Sequence, residues 1–253
     1  MRHDIAVVVT TICRRSLLRA VRSLFAQKFS GRMQILIGVD CDPQGQLDEL
    51  RTILISECPA HISMLWLNIG YSTSRRHGGL HTSFFGGSLP SALTLLADSA
   101  IVMYLDDDDW LSEEHCPLIL QAIAGKKWAF SYSIYADGKT GKGLCVDELE
   151  SVGVGRGVFA QRFGGFVRPS GLALDKMQLL HVVHLWSSSP FQAGDGSDRL
   201  VFEQLRREPH GCTGQATVYY ALDPKDGMHA RRVAFMQSRG VIFHPETKEE
   251  SVR

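Results

Sequence analysis

Short apolar runs alternate with amphipathic segments along the first half of the chain. The runs are mostly apolar, and the run Ile101–Leu105 is unbroken, as in a strand covered on both faces. The segments between them carry apolar residues at helical spacing. The predicted strands and helices, in chain order, are Ile5–Val9, helix Leu17–Phe25, Met33–Val39, helix Leu47–Leu54, Ile62–Leu67, helix Leu89–Leu96 and Ile101–Leu105. This alternation predicts right-handed crossovers and a mainly parallel sheet.

The pattern is less regular in the second half. Helices are predicted at Pro117–Ala124, at Met177–Trp186 and from Leu200 onward, and strands at Trp128–Tyr135 and Ala216–Leu222. A Gly-rich stretch from Asp137 to Gly157 indicates a hairpin or an excursion from the sheet, and Phe166–Arg168 indicates an extended piece. Met177–Trp186 also carries two histidines three positions apart, but no third ligand lies nearby, which favours a core or surface role over a metal site.

Composition fits a single domain with a full core. The chain has 253 residues, 44% of them hydrophobic, and a formal net charge of zero. A chain without a global basic field predicts no nucleic-acid partner. Six cysteines without a Cys-x-x-Cys pair predict reduced thiols and a cytoplasmic protein. No apolar run reaches the length of a membrane span, and the N-terminal sequence does not have the pattern of a signal peptide.

Four consecutive carboxylates, Asp106–Asp109, directly follow the strand Ile101–Leu105. Adjacent carboxylates repel one another, so a partly buried set needs a counter-charge. Mg²⁺ and Mn²⁺ prefer carboxylate oxygens and often share them with nucleotide phosphates. Ligands of open α/β sheets also bind beyond strand ends. The alternative is a solvated acidic turn at a helix N-terminus, with Ser112–Glu114 starting that helix.

The segment Tyr104–Leu111 resembles the Asp-x-Asp segment of family 2 glycosyltransferases of the GT-A fold. The resemblance implies an α/β, GT-A-like three-layer sandwich with a mainly parallel central sheet. It implies one domain over 1–253, with a nucleotide-binding half at 1–109 and an acceptor-binding half at 110–253 that includes a flexible C-terminal segment. It also implies sugar transfer with inversion from a nucleotide-diphosphate donor, with a UDP-sugar favoured.

The same resemblance implies roles for the acidic residues and the strand ends. Asp108 would hold Mn²⁺ or Mg²⁺, with Asp106 and Asp107 on the nucleotide side and Asp109 toward the acceptor. Further nucleotide contacts are expected from Thr10, Thr11, Asp40 and Asn68, which all follow or end strands. Asp40 is expected to recognise the nucleobase. Thr11 could instead cap the first helix.

The loop Ser72–Ser88 departs from the family pattern, because Leu89 to Ser91 stand where family members commonly carry Ala-Arg-Asn. The phosphate-facing arginine is therefore absent at that position. Arg75 and Arg76 could supply the charge, since a guanidinium matches phosphate geometry. The alternative is a solvated basic loop.

A second acidic site precedes the predicted helix at Leu200. Asp198 matches the family position of the catalytic base, and Asp195 is the reserve candidate because Ser197 replaces the usual preceding Glu. Asp198 could also be only a helix N-cap. Near the C-terminus, His229 is a candidate metal ligand, with a surface His as the alternative.

Basic residues at Lys225, Arg231 and Arg232 could contact the diphosphate or be solvated. The acceptor is expected to be a saccharide, a lipid-linked molecule or a protein. A lipid-linked acceptor would suggest peripheral contact with the inner face of the membrane through the arginines of the first helix. Two other classes remain open: an Asp-x-Asp phosphotransferase or phosphatase with Asp106 as nucleophile, and a non-catalytic nucleotide or cation binder.

Overall fold

The computed structural model describes residues 2–81, 83–241 and 243. Its first half alternates strands and helices as predicted. The elements are β1 (Ile5–Thr11), α1 (Ser16–Phe25), β2 (Met33–Val39), α2 (Leu47–Glu57), β3 (Ile62–Asn68), α3 (Ser88–Leu96) and β4 (Ile101–Asp106). The described part of the long connection before α3 includes the 3-10 turn Arg75–His77.

The second half is less regular and mixes short elements with the two longest of the described strands. The elements are β5 (Trp110–Leu111), α4 (His115–Ile123), β6 (Trp128–Ala136), β7 (Gly143–Val146), β8 (Gly153–Val154), α5 (Ala160–Phe163), β9 (Gly165–Phe166), β10 (Leu172–Asp175), α6 (Leu180–Val183), α7 (Ser197–Leu205), β11 (His210–Ala221) and α8 (His229–Ser238). Two 3-10 helices, Pro169–Gly171 and His184–Ser187, complete them.

The continuous helix predicted from Met177 to Trp186 is wrong. Asp175 Oδ1 accepts backbone hydrogen bonds from Met177 and Gln178, which closes a turn before α6 starts. Such side-chain to backbone bonds compete with helix formation. Residues 244–253 of the predicted flexible C-terminal segment lie outside the described residues.

The main sheet has the order β3-β2-β1-β4-β10-β6-β11-β5, with β7 also paired to β6. The α/β sandwich is confirmed, and β3, β2, β1 and β4 are parallel as predicted. The far half is mixed, because β10 lies antiparallel to both β4 and β6. Its four residues are too few to show a strand period, so the sequence did not predict it.

Side chains of β1 alternate between two cores. Ile5, Val7 and Val9 pack with α1, α2 and α4 on one face of the sheet, whereas Ala6 and Val8 pack with α3, α6 and α7 on the other. The sheet is therefore the middle of three layers. Its parallel half brings the carboxyl ends of β1, β2 and β4 to one edge, where polar groups collect.

Three arginines of α1 and its N-terminal flank are engaged within the protein. Arg15 pairs with Glu49 at 2.8 Å and Arg22 with Glu57 at 2.7 Å, while Arg19 donates to the Gly138 carbonyl at 2.8 Å. The charge that suggested peripheral membrane contact is thus largely compensated. Within the described chain, no helix combines the length and the apolar character that crossing a bilayer requires.

Candidate active site

A cavity of about 880 Å³ opens at the carboxyl ends of β1, β2 and β4. Parallel strand ends supply one wall, and the start of α7 and the end of β11 supply the other. The lining includes most of the predicted site residues: Thr10, Thr11, Asp40, Arg76, Asp106, Asp107, Asp108, Asp195 and Asp198. Residues far apart in the chain therefore share one chamber, as expected for an open α/β sheet.

Asp106 is the last residue of β4 and pairs with Thr10 of β1. Its backbone N–H donates to Ser170 Oγ at 3.1 Å. Burial raises the pKa of Asp106 to about 7, with the neighbouring charges of Asp108 and Asp107 acting in the same direction. The ionised form of this carboxyl group is therefore disfavoured, and a bound cation would stabilise it.

Asp107 is only 2% exposed and accepts hydrogen bonds on both oxygens. Thr11 Oγ1 donates to Oδ2 at 2.6 Å, and Arg14 pairs with Oδ1. The Thr11 hydroxyl also accepts from the Cys13 backbone N–H at 2.9 Å. Thr11 is therefore not the cap of α1, which begins at Ser16. It fixes Asp107 instead.

Asp108 and Asp109 differ in access to the cavity. The Asp108 side chain is 36% exposed and pairs with Arg14 Nη1 at 2.9 Å. Burial raises the pKa of Asp108, and Arg14 opposes that effect. Asp109 is buried, where it accepts from the Ser170 hydroxyl at 2.6 Å and from the Ala221 N–H at 3.0 Å. Burial raises the pKa of Asp109 well above its usual range.

The four carboxylates do not cap a helix. The strand β5 follows them directly, and α4 begins only at His115, without a side-chain cap at its N-terminus. The alternative of a solvated acidic turn is wrong for Asp107 and Asp109, which are almost fully buried.

Asp198 faces the carboxylates of β4 from the first turn of α7. The N-cap of α7 is Gly196, so the N-cap alternative for Asp198 is wrong. Asp198 Oδ1 accepts a hydrogen bond from the N–H of Arg199 at 2.8 Å. Burial raises the pKa of Asp198, and its charge in turn raises the pKa of Asp106. Asp195 lines the same wall and is exposed.

Of the predicted nucleotide-binding residues outside β4, some line the cavity and others do not. Asp40 lies in the cavity wall, and its oxygens accept from the hydroxyls of Ser72 and Thr73 at 2.6 and 2.9 Å. Arg76 lines the cavity. Asn68 and Arg75 lie outside that wall; Arg75 instead donates to backbone carbonyls of the loop before α7. The structure brings Asp40 and Arg76, but not Asn68 or Arg75, to the candidate site.

The C-terminal candidates also separate. Lys225 and Arg232 line the cavity, whereas Arg231 and His229 do not. His229 opens α8, and its ring lies 6.4 Å from that of Phe243. The predicted histidine ligand is therefore not assembled with the carboxylates in this conformation.

A buried ionic network supports the far wall and was not recognised in the sequence. Arg168 donates to Asp147 at 2.9 Å, and Arg232 pairs with Glu150 at 2.6 Å. The Arg168 guanidinium lies 3.8 Å from the ring centre of Tyr220. These residues come from separate loops, from β11 and from α8, so no local pattern indicated that they meet. The network fixes the strand end that supplies the N–H to Asp109.

The carboxylates fit a divalent ion shared with a ligand. Asp106 and Asp108 present hard oxygen donors to the cavity, and burial disfavours their uncompensated charge. Across 2–81, 83–241 and 243, no three His, Cys, Asp or Glu residues are grouped to hold a metal unaided. Mg²⁺ commonly takes only one or two carboxylates and completes its shell with water and phosphate oxygens.

No protein-family model matches the chain, and no curated protein sequence matches it. Among solved structures, S. aureus TarS 1-349 in complex with UDP-GlcNAc superposes with a TM-score of 0.62 and 13% identity over 89% of this chain. The mannosyltransferase PcManGT from Pyrobaculum calidifontis, in complex with GDP-Man and Mn²⁺, superposes with a TM-score of 0.59 and 12% identity over 97% of this chain. The chain spans 60% and 66% of those two structures. At this identity the similarity establishes a GT-A-like glycosyltransferase fold.

Proposed function

We propose that this protein transfers a sugar from a nucleotide-diphosphate donor, with a UDP-sugar favoured, to an acceptor hydroxyl with inversion. The observation that carries the proposal is the placement of two acidic groups in one cavity. The row of carboxylates at the end of β4, Asp106–Asp108, lies on one wall, and Asp198 lies on the other. The fold supports the proposal, since structures of this fold bind UDP-GlcNAc and GDP-Man.

The carboxylate row at the end of β4 lies between two halves of the proposed site, one for the nucleotide and one for the acceptor. One half, formed by residues 1–109, would bind the nucleotide. Thr10, Thr11 and Asp40 line the cavity on this side, at the ends of β1 and β2. Asp40 would meet the nucleobase after one of its oxygens leaves Ser72 or Thr73. Residues 110–253 would bind the acceptor. In this scheme Arg75 would contact the nucleotide only after its loop moves, and Asn68 would contact it only if the nucleotide reaches the end of β3.

Asp106 and Asp108 would hold Mn²⁺ or Mg²⁺ together with the diphosphate. The ion would act as a Lewis acid that neutralises the leaving diphosphate. Asp107 keeps this row in place through its bond to Thr11. The exposed cations Arg76 and Lys225 line the cavity and would donate to the remaining phosphate oxygens.

Asp198 would act as the general base. It would take the proton of the acceptor hydroxyl while that oxygen bonds to the anomeric carbon and the bond to the diphosphate breaks on the opposite face. Burial raises the pKa of Asp198, which makes its ionised form a stronger proton acceptor. Asp195, exposed on the same wall, is the second candidate for this role.

The proposal is tested with a thermal-shift panel of UDP, GDP, ADP and CDP, each with and without Mn²⁺. We expect one diphosphate to stabilise the protein only when the metal is present, since a ligand that binds the folded state raises its melting temperature. A chelator should reverse the shift. Stabilisation by none of the four in either condition would contradict the proposal.

The phosphotransferase alternative makes a different prediction. It requires a covalent phosphate on Asp106, which acid quenching and mass spectrometry would detect with a labelled phosphate donor. Sugar transfer from a diphosphate donor leaves Asp106 unmodified. The saccharide, lipid-linked or protein nature of the acceptor and the cytoplasmic location remain predictions from the sequence.

A further inference from the structure

Arg14 occupies the carboxylates at which the proposed donor and metal would meet. Its guanidinium pairs with Asp107 Oδ1 and, at 2.9 Å, with Asp108 Oδ2. The preceding residue, Cys13, has a φ of 60°, in the left-handed region that non-glycine residues seldom adopt. This turn directs Arg14 back over the end of β4, so the contact is built into the loop after β1.

The two partners in this contact, Arg14 and Asp107, differ in how freely their side chains can move. Asp107 is 2% exposed and is also held by Thr11, whereas the Arg14 side chain is 46% exposed. The backbone before Arg14 is fixed through the Cys13 N–H and Thr11. Arg14 can therefore leave the carboxylates by side-chain rotation alone, while the carboxylates stay in place.

A guanidinium and a divalent ion compete for the same Asp108 oxygen, because each is drawn to the carboxylate's negative charge. Their like charges also repel across a partly buried site, where screening by water is weak. The guanidinium fork fits a diphosphate as well as it fits a carboxylate. Arg14 lines the cavity, so an incoming diphosphate would offer it an alternative partner.

We propose that Arg14 pairs with Asp107 and Asp108, and so keeps the divalent metal off Asp108, until a nucleotide diphosphate arrives, and that Arg14 then transfers to the diphosphate. The metal would consequently bind together with the donor and only weakly before it. Arg14 is thus a diphosphate-binding residue and also sets the order of binding. This inference rests on the proposed function.

The test measures two affinities in each protein. Manganese alone is titrated and followed by the EPR signal of free Mn²⁺, and UDP and GDP are titrated calorimetrically with Mn²⁺ present. For Arg14→Gln we expect Mn²⁺ alone to bind at least about tenfold more tightly, because a competing charge is gone. The same variant should bind the diphosphate about tenfold more weakly.

Two further variants make the result specific. Arg14→Lys keeps the repelling charge but loses the fork, so Mn²⁺ alone should bind as in the wild type while diphosphate affinity falls. Arg15→Gln is the matched control, because Arg15 pairs with Glu49 outside the cavity. Neither affinity should change in that control. If Arg14→Gln does not fold, the Arg14→Lys pattern decides.

The outcomes separate the two proposals. A wild type that binds UDP or GDP with Mn²⁺, while Arg14→Gln gains no affinity for Mn²⁺ alone, would overturn the role of Arg14 and leave the proposed function intact. Unchanged diphosphate affinity in Arg14→Lys would overturn it as well. A wild type that binds neither diphosphate would instead refute the proposed function.

Discussion

The clearest test of the site's electrostatics is Asp106→Asn in the ligand-free protein. Burial and the charges of Asp108 and Asp107 raise the pKa of Asp106 to about 7. The folded protein therefore binds a proton at Asp106 more tightly than the unfolded chain does. Stability from this group is fully present below its ordinary pKa of 3.8 and is lost as pH rises through 7. Asparagine has a similar shape and no charge, so it should remove the loss.

The expected size follows from the change in pKa. A rise from 3.8 to about 7 corresponds to roughly 4 kcal/mol between acidic and alkaline solution. Neighbouring carboxylates share the proton, and their own charges become less costly once Asp106 is neutral. We therefore expect roughly 2 kcal/mol of stabilisation at pH 8 relative to pH 5, or about 4–8 °C in melting temperature for a chain of this size.

The assay is urea unfolding of the wild type and Asp106→Asn at pH 5 and pH 8, without metal or nucleotide. Asp223→Asn, which removes an exposed carboxylate at the cavity, is the matched control and should have the same small effect at both values. The reasoning is refuted if Asp106→Asn is no more stabilising at pH 8 than at pH 5. A variant stabilised in this way should also lose Mn²⁺-dependent nucleotide binding, since Asp106 is a proposed ligand.

Three other substitutions test separate features. Asp198→Asn should lower turnover about 10²–10⁴-fold in steady-state kinetics without weakening nucleotide binding. Wild-type turnover should fall as pH drops through the raised pKa of Asp198, and full activity of Asp198→Asn would exclude Asp198 as the base. Arg168→Leu leaves the buried carboxylate of Asp147 without its guanidinium partner and should cost about 3–5 kcal/mol in urea unfolding, so a loss under about 1 kcal/mol would contradict the network's role. Gly87→Ala places Cβ 1.8 Å from the Trp186 carbonyl oxygen and should cost about 1–3 kcal/mol, more than the control Gly227→Ala, whose Cβ has no neighbour within 4 Å and whose φ is not positive; equal losses would argue against the clash.

The elements of the first half were readable because their burial pattern is local. Each strand from β1 to β4 is mostly apolar, and the helices between them carry apolar residues at helical spacing. Parallel strands end at one edge, so Thr11, Asp40 and Asp106 could be expected to meet before any coordinates were known. Asp198 could be placed opposite them only through a resemblance, because nothing in its own segment says which wall it faces.

Several features had no local pattern to predict them. β10 has only four residues, yet it joins the two halves of the sheet and positions Ser170 beside Asp109. Arg14 stood in a cluster of arginines of which three face outward or bind carbonyl oxygen, and the sequence did not distinguish the one that meets the carboxylates. Arg14 lies in the loop between β1 and α1, at the sheet edge where the carboxylates collect.

The sequence by itself determined the strand ends and the acidic row, since apolar periodicity and the order of strands follow from neighbouring residues. Only the tertiary structure decided which charges meet, because those pairs are far apart along the chain. Thr11 and Asp107, for example, are separated by 96 positions and joined by one hydrogen bond. Contacts of this kind depend on the order of the strands in the sheet and on which polar groups are buried together. Neither can be predicted from a local sequence pattern.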